Sequence, residues 1–272
     1  MPDIFNLKEV GFSYMQNMHA LTDINLAIQE GEILSIIGAN GSGKSTLLHL
    51  LCGLIHPTHG SLYYKGDLIT EEALKNAAFN KKFRSSIGFI FQNSDAQLFC
   101  PTVMDELLFG PFQLGYSKES ALSRANDIAE MLNISDLKGR PTYMLSGGEK
   151  KRVALGAVLT TNPDILIFDE PVSGLDPKTC SFIIELIFQL NQAGKTIIIT
   201  THHLELVDHF RSRVVILSEN HTIEKIGTSD EILSDSELLI KTNLISEYPH
   251  KHDDNTVHKH LFSEFLFHQH KH

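Results

Sequence analysis

The 272-residue chain is predicted to fold as an α/β protein with a mostly parallel core sheet, an N-terminal antiparallel β subdomain and an inserted helical subdomain. Three observations predict this. Short apolar runs at 33–37, 87–91, 165–168, 196–200 and 214–217 alternate with helix-period stretches at 44–53, 149–160 and 178–192, and buried strands joined through helices make a parallel sheet. Ahead of the first buried run, β-rich segments at 4–12 and 24–29 flank a turn-like 15–19, which suits antiparallel pairing. After Gln92 the strand signals stop until Thr160, and helical patterns, including 119–132, are broken by Pro101, Pro111 and Pro141. One folded unit over 1–245 is expected, with the helical insert at about 93–160. Residues 246–272 turn to histidine, lysine and aspartate without a helix or strand period, and read as a flexible tail.

A net charge of −10 argues against nucleic acid as partner, because such binders neutralise phosphates with a basic face. The three cysteines, Cys52, Cys100 and Cys180, are odd in number and widely spaced, which suits a reducing compartment and small packing residues. No run approaches the ~20 apolar residues that cross a bilayer, and the first residues lack a basic-then-apolar signal pattern. A cytoplasmic protein is expected, docked on separate membrane parts if it serves transport.

The run Gly38-Ala-Asn40-Gly41-Ser42-Gly43-Lys44-Ser45, followed by Thr46, fits the phosphate-loop pattern between a buried strand and a helix. Its backbone N–H groups can turn around a β-phosphate, Lys44 can reach a γ-phosphate, and Ser45 can ligate Mg²⁺. ATP with Mg²⁺ is therefore the expected ligand pair, in a P-loop NTPase core. Farther on, Ile165-Leu-Ile-Phe-Asp169-Glu170 is an apolar strand ending in two carboxylates at the sheet edge where ligands bind. Asp169 is placed to help hold Mg²⁺, and Glu170 to act as general base on the attacking water.

The sequence Leu145-Ser146-Gly147-Gly148-Glu149, running into Lys150, Lys151 and Arg152 as a helix begins, resembles the signature of the ATP-binding-cassette ATPases. Read alone, Ser146 is a helix cap. Free N–H groups at such a start, with no glycine side chains in the way, can also grip a phosphate. The resemblance implies that Ser146, Gly147 and Gly148 contact ATP held by a second cassette, in a homo- or heterodimer with two composite sites. It further implies that Tyr14 stacks on adenine, Gln92 couples the Mg²⁺ site to the helical subdomain and serves catalysis, Asp176 lies at the dimer crossing, and His202 touches the γ-phosphate. His203 stands where related cassettes usually have aspartate.

The stretch Phe91-Gln-Asn-Ser-Asp-Ala-Gln-Leu-Phe-Cys-Pro-Thr-Val103, with Phe109-Gly-Pro111, is similar to the cobalt, nickel and vitamin energy-coupling-factor ATPases. Ser94 and Ala96 depart from that pattern, where proline and an acid are usual. Gly148-Glu-Lys-Lys-Arg-Val-Ala154 supports the same subfamily. A transmembrane coupling protein and a substrate-capturing membrane subunit follow as partners, and the cytoplasmic membrane face as location. His250, His252, His258, His260, His268, His270 and His272, seven of the fifteen histidines, can converge on a transition metal, which favours cobalt or nickel as cargo. A solvated tail, a vitamin cargo, and a cassette of translation or DNA repair are the competing readings.

Overall fold

The computed structural model describes residues 2–15, 18–251 and 257–262. The first strands, β1 (Asp3–Ser13) and β2 (His19–Gln29), pair antiparallel with Leu7 opposite Leu26 and Val10 opposite Ile24. β2 alternates, burying Ile24, Leu26 and Ile28 in the period-2 pattern that made it legible, whereas β1 buries Phe5, Leu7 and Val10 across a register shift between Leu7 and Val10. Next, β3 (Ile33–Gly38), with Leu34, Ile36 and Ile37 fully buried, leads into α1 (Lys44–Leu51).

Two strands that the apolar pattern does not announce, β4 (His59–Tyr64) and β5 (Asp67–Leu68), extend the first sheet in the order β2-β1-β4-β5. Gly60 interrupts the β signal that Tyr63 and Tyr64 carry, and pairing with β1 supplies the order that the short apolar pattern does not. Two further unpredicted elements are α2 (Glu71–Lys75) and α3 (Ala77–Ser86). Asn76 ends the first and caps the second, accepting from the N–H groups of Ala78 and Phe79 at 3.1 Å each.

After β6 (Ile87–Ile90) come α4 (Val103–Leu114), α5 (Lys118–Met131) and α6 (Gly147–Leu159), with no strand among the described residues before β7 (Ile165–Asp169). Pro111 does not break α4, contrary to the sequence reading; it sits in the last turn. A proline there forfeits one bond to the preceding turn, and the helix closes at Gly115, in a left-handed conformation, through bonds from Gly115 N–H to Phe112 and Tyr116 N–H to Pro111.

The chain continues through α7 (Pro177–Gln192), β8 (Thr196–Thr200), α8 (Leu204–Phe210), β9 (Arg213–Leu217), β10 (Ile223–Thr228), α9 (Ser229–Leu233) and α10 (Ser236–Lys241). The six-stranded sheet runs β10-β9-β3-β8-β7-β6. Only the β9–β10 pair is antiparallel. Its order sets the C-terminal ends of β3, β8 and β7 side by side, so that three loops converge at one edge. No helix among the described residues is long and apolar enough to cross a membrane.

Beyond residue 245, the backbone forms an antiparallel pair, β11 (Ser246–Lys251) and β12 (Val257–Phe262), with His250 opposite His258 and Tyr248 opposite His260. The sequence reading saw no strand here. Ladder bonds between backbones need no apolar period. His252, His268, His270 and His272 lie outside the described residues.

Candidate functional site

The loop leaving β3 is held by close backbone approaches. Gly43 has φ 103°, and a Cβ there would lie 2.2 Å from the Ala20 carbonyl oxygen, so only glycine fits. The N–H groups that begin α1 have no partners inside the helix, and Lys44, Ser45 and Thr46 at that start line the same cavity as the loop. Lys44 is buried and donates to the carbonyls of Gly38 at 2.8 Å and Ala39 at 3.1 Å. Burial holds its ammonium below the ordinary lysine range, opposed by the nearby Glu170 and Asp169 carboxylates.

At the ends of β7 and β8 the carboxylates divide their bonds. Asp169 accepts from Ser45 Oγ at 2.9 Å and from Thr200 Oγ1 at 2.6 Å, which fixes both of its oxygens. Glu170 adopts φ 45° and is buried, a left-handed backbone that costs a non-glycine residue roughly 1–3 kcal/mol. Its N–H is anchored to Thr200 at both the carbonyl and Oγ1, at 3.1 and 3.2 Å. One carboxylate oxygen lies 2.9 Å from His202 Nδ1, and the other is buried with no hydrogen-bond partner. An orphaned buried acceptor is a demand for a polar ligand or water.

A cavity of about 570 Å³ gathers Tyr14, Lys44, Ser45, Gln92, Asp169, Glu170 and His202. Asn40, Gly41, Gly43 and Thr46 line it as well, whereas Gly38 and Ser42 lie outside its wall. Tyr14 reaches it through a 3.1 Å bond from its hydroxyl to Thr46 Oγ1 and an edge-to-face contact with Phe12. Gln92 follows β6, and its carbonyl and that of Phe91 accept from Lys151 Nζ at 3.4 and 2.8 Å. Sequence reasoning missed Lys151, which is 2 % exposed, and also His19 and His221, which line the cavity. The basic run of Lys150 to Arg152 gave no sign that its middle member turns inward.

Ser146, Gly147, Gly148 and Asp176 do not join this cavity. They line a second one, of about 620 Å³, with which the first shares no residue. Ser146 caps α6 in a capping box, its N–H donating to Glu149 at 2.7 Å. Asp176 spends its carboxylate on the cap of α7, accepting from Thr179 N–H at 3.1 Å and Thr179 Oγ1 at 2.6 Å. Those bonds hold its carboxyl below the usual range. Its side chain caps its own helix on the wall of the cavity that Ser146, Gly147 and Gly148 also line.

Residues 21–173 match the family model described as ABC transporter. The chain belongs to the ABC transporter family. As a member of that family it is an ATP-binding, ATP-hydrolysing cassette. It is 40% identical to the energy-coupling factor transporter ATP-binding protein EcfA of Methanococcus maripaludis over 243 residues, 89% of this chain and 85% of that protein. Among solved structures it is similar to CbiO1 of Clostridium perfringens, part of the ABC transporter complex CbiONQ, with TM-score 0.76 and 34% identity over 90% of this chain and 96% of that one. It is similar too to a dimeric ATP-binding cassette in a post-hydrolysis state bound to ADP and Pi, with TM-score 0.74 and 30% identity over 83% and 98%. This cassette therefore resembles the energy-coupling-factor branch that its Gln-Leu-Phe and Phe-Gly-Pro motifs indicate.

Proposed function

We propose that this cassette is the motor of an energy-coupling-factor importer for cobalt or nickel, working as a pair of identical chains on the cytoplasmic face of a membrane. The observation that carries the motor is the separation of its two cavities: the phosphate loop with its base in one, the signature residues in the other. One chain cannot bring them to the same phosphate. Two copies facing head to tail can do so twice, and since each chain holds every part intact, a symmetric pair is self-sufficient.

In this reading the P-loop N–H groups and the start of α1 hold the ATP phosphates, and Lys44 exchanges its two carbonyl partners for the γ-phosphate. The oxygens of Ser45 and Asp169, already 2.9 Å apart, with Gln92 on the same wall, are the hard donors that suit Mg²⁺. When bound, that ion neutralises charge on the β- and γ-phosphate oxygens. Glu170 takes the proton of the attacking water on its unpartnered oxygen, and His202, held by the other, faces the γ-phosphate. Ser146 and Gly148 of the second copy close the site.

Coupling to the membrane runs through the helical subdomain. In and between its subfamily motifs, Leu107 is fully buried and Leu98 half-buried, whereas Phe99 is 66% and Phe109 42% exposed. The two phenylalanines pack edge to face at 4.8 Å, an aromatic patch of the kind that anchors a partner helix. Gln92, tied to α6 through Lys151, links that surface to the ATP site.

Cargo rests on the histidine-rich end of the chain, which favours a transition metal over a vitamin. The test is uptake of radiolabelled Co²⁺ and Ni²⁺ by cells expressing the chain with its membrane partners. Uptake lost on Lys44→Ala is the expected result. An active ATPase that moves no metal transfers the cargo to vitamins, and stimulation of hydrolysis by RNA or DNA points to a cassette of translation or repair.

A further inference from the structure

Glu170, His202 and His203 cluster at the ends of β7 and β8. Their donor atoms all lie within 4.8 Å of one another, and no other three His, Cys, Asp or Glu among the described residues converge this way. The two imidazoles are neighbours at the end of β8, with ring centroids 4.2 Å apart and planes at 34°. Glu170 faces them from the end of β7, with His202 Nδ1 2.9 Å from one oxygen and the other oxygen buried and unpartnered. His203 has its backbone pinned by a 3.0 Å bond from its N–H to Thr201 Oγ1, and it occupies the N-cap position of α8.

We infer that these three residues form a binding site for a divalent first-row transition-metal ion such as Co²⁺, Ni²⁺ or Zn²⁺, and that its occupation stops ATP hydrolysis. Two imidazoles and a carboxylate are borderline donors that suit such ions, whereas Mg²⁺ prefers oxygen and water. Donors about 2.1 Å from an ion stand no more than about 4.2 Å apart, so small side-chain rotations close the present spacing. The anchored backbones of Glu170 and His203 keep the donors near that geometry at low cost in ordering. An ion held there engages the carboxylate that would take the proton of water and the imidazole that would face the γ-phosphate. The site is thus a brake: metal that has accumulated beside the motor halts the motor. Metal binding is independent of the proposed function, while the braking effect rests on Glu170 acting as its base.

The test uses the full-length chain with the seven histidines from His250 onward changed to glutamine, so that only the core reports. Co²⁺ is titrated into this protein and into the same protein carrying His203→Asn, which removes the imidazole and puts a residue favoured at the N-cap in its place, with the visible absorption of bound Co²⁺ as readout. In parallel, Ni²⁺ inhibition of hydrolysis is measured in excess Mg²⁺ and ATP. The inference expects one Co²⁺ site in the parent, weakened at least about tenfold by His203→Asn, with a matching rise in the Ni²⁺ concentration that halves the rate. Equal Co²⁺ affinity in the two proteins overturns the site. A weakened Co²⁺ site with unchanged Ni²⁺ inhibition overturns the brake and places the fault with Glu170 as base.

Discussion

Glu170 concentrates the chemistry of the site in one side chain: a left-handed backbone, a buried carboxylate, one oxygen on His202 and one without a partner. Glu170→Gln preserves the shape and removes the proton acceptor. Phosphate release is expected to fall by about 10²–10⁴-fold, with ATP still bound and the pair of chains held closed; unchanged turnover removes Glu170 as base. Lys151 gives a second prediction at this scale. Burial pushes its pKa down from 10.5 to about 8, so between these values the unfolded chain holds the extra proton. Stability therefore rises with pH across that window and is lost as pH falls back towards 8. The urea midpoint of the wild type, compared with that of Lys151→Gln, should shift in favour of the wild type from pH 8 to pH 10.

The two residues also differ in how they could be read. Lys44, Ser45, Asp169 and Glu170 follow from spacing, because a glycine loop after one buried strand and acids after another must meet at the same sheet edge. Lys151 sits in a run of three basic residues that reads as solvated, and only the packing of α6 against the segment after β6 turns it inward. Asp176 reads by motif order as lying at a dimer crossing, and its local pattern, with Thr179 three residues on, makes it a helix cap as well, which the structure shows.

Among the elements, α6 separates structure from function most cleanly. Gly147, its first residue, has open space around the position of an added Cβ, and a carboxylate at a helix start is favourable by about 0.3–1 kcal/mol. Gly147→Asp should leave the melting temperature unchanged or slightly raised. The same carboxylate enters the second cavity, where the phosphate of the other chain's ATP is expected, so hydrolysis should be lost. Wild-type turnover in this variant removes α6 from the site. In the P-loop the reverse holds: Gly43→Ala meets the Ala20 carbonyl at 2.2 Å and should lower stability and ATP binding together, read by thermal melts with and without ATP.

Element type was legible where one period dominates, as in β2, α5 and α7, and where an unbroken apolar run marks a buried strand, as in β3, β7 and β8. It was not in the region of β4 and β5, whose order comes from pairing with β1, nor at Pro111, whose single lost bond α4 tolerates in its last turn. The β11–β12 pair escaped for a related reason, since composition hid a ladder that is held by backbone groups.

At the scale of the whole molecule, the proposed function needs two chains face to face, so that two cavities without a common residue become two complete sites. A pair built from one Lys44→Ala chain and one Gly147→Asp chain collects both defects in one site and leaves the other site intact. The measurement that tests this most directly is steady-state ATP hydrolysis by the two variants mixed in varying proportion. Each variant alone is expected to be inactive, with activity reappearing on mixing and greatest near equal amounts. Hydrolysis absent at every ratio, while the wild-type chain under the same conditions is active, contradicts the composite site.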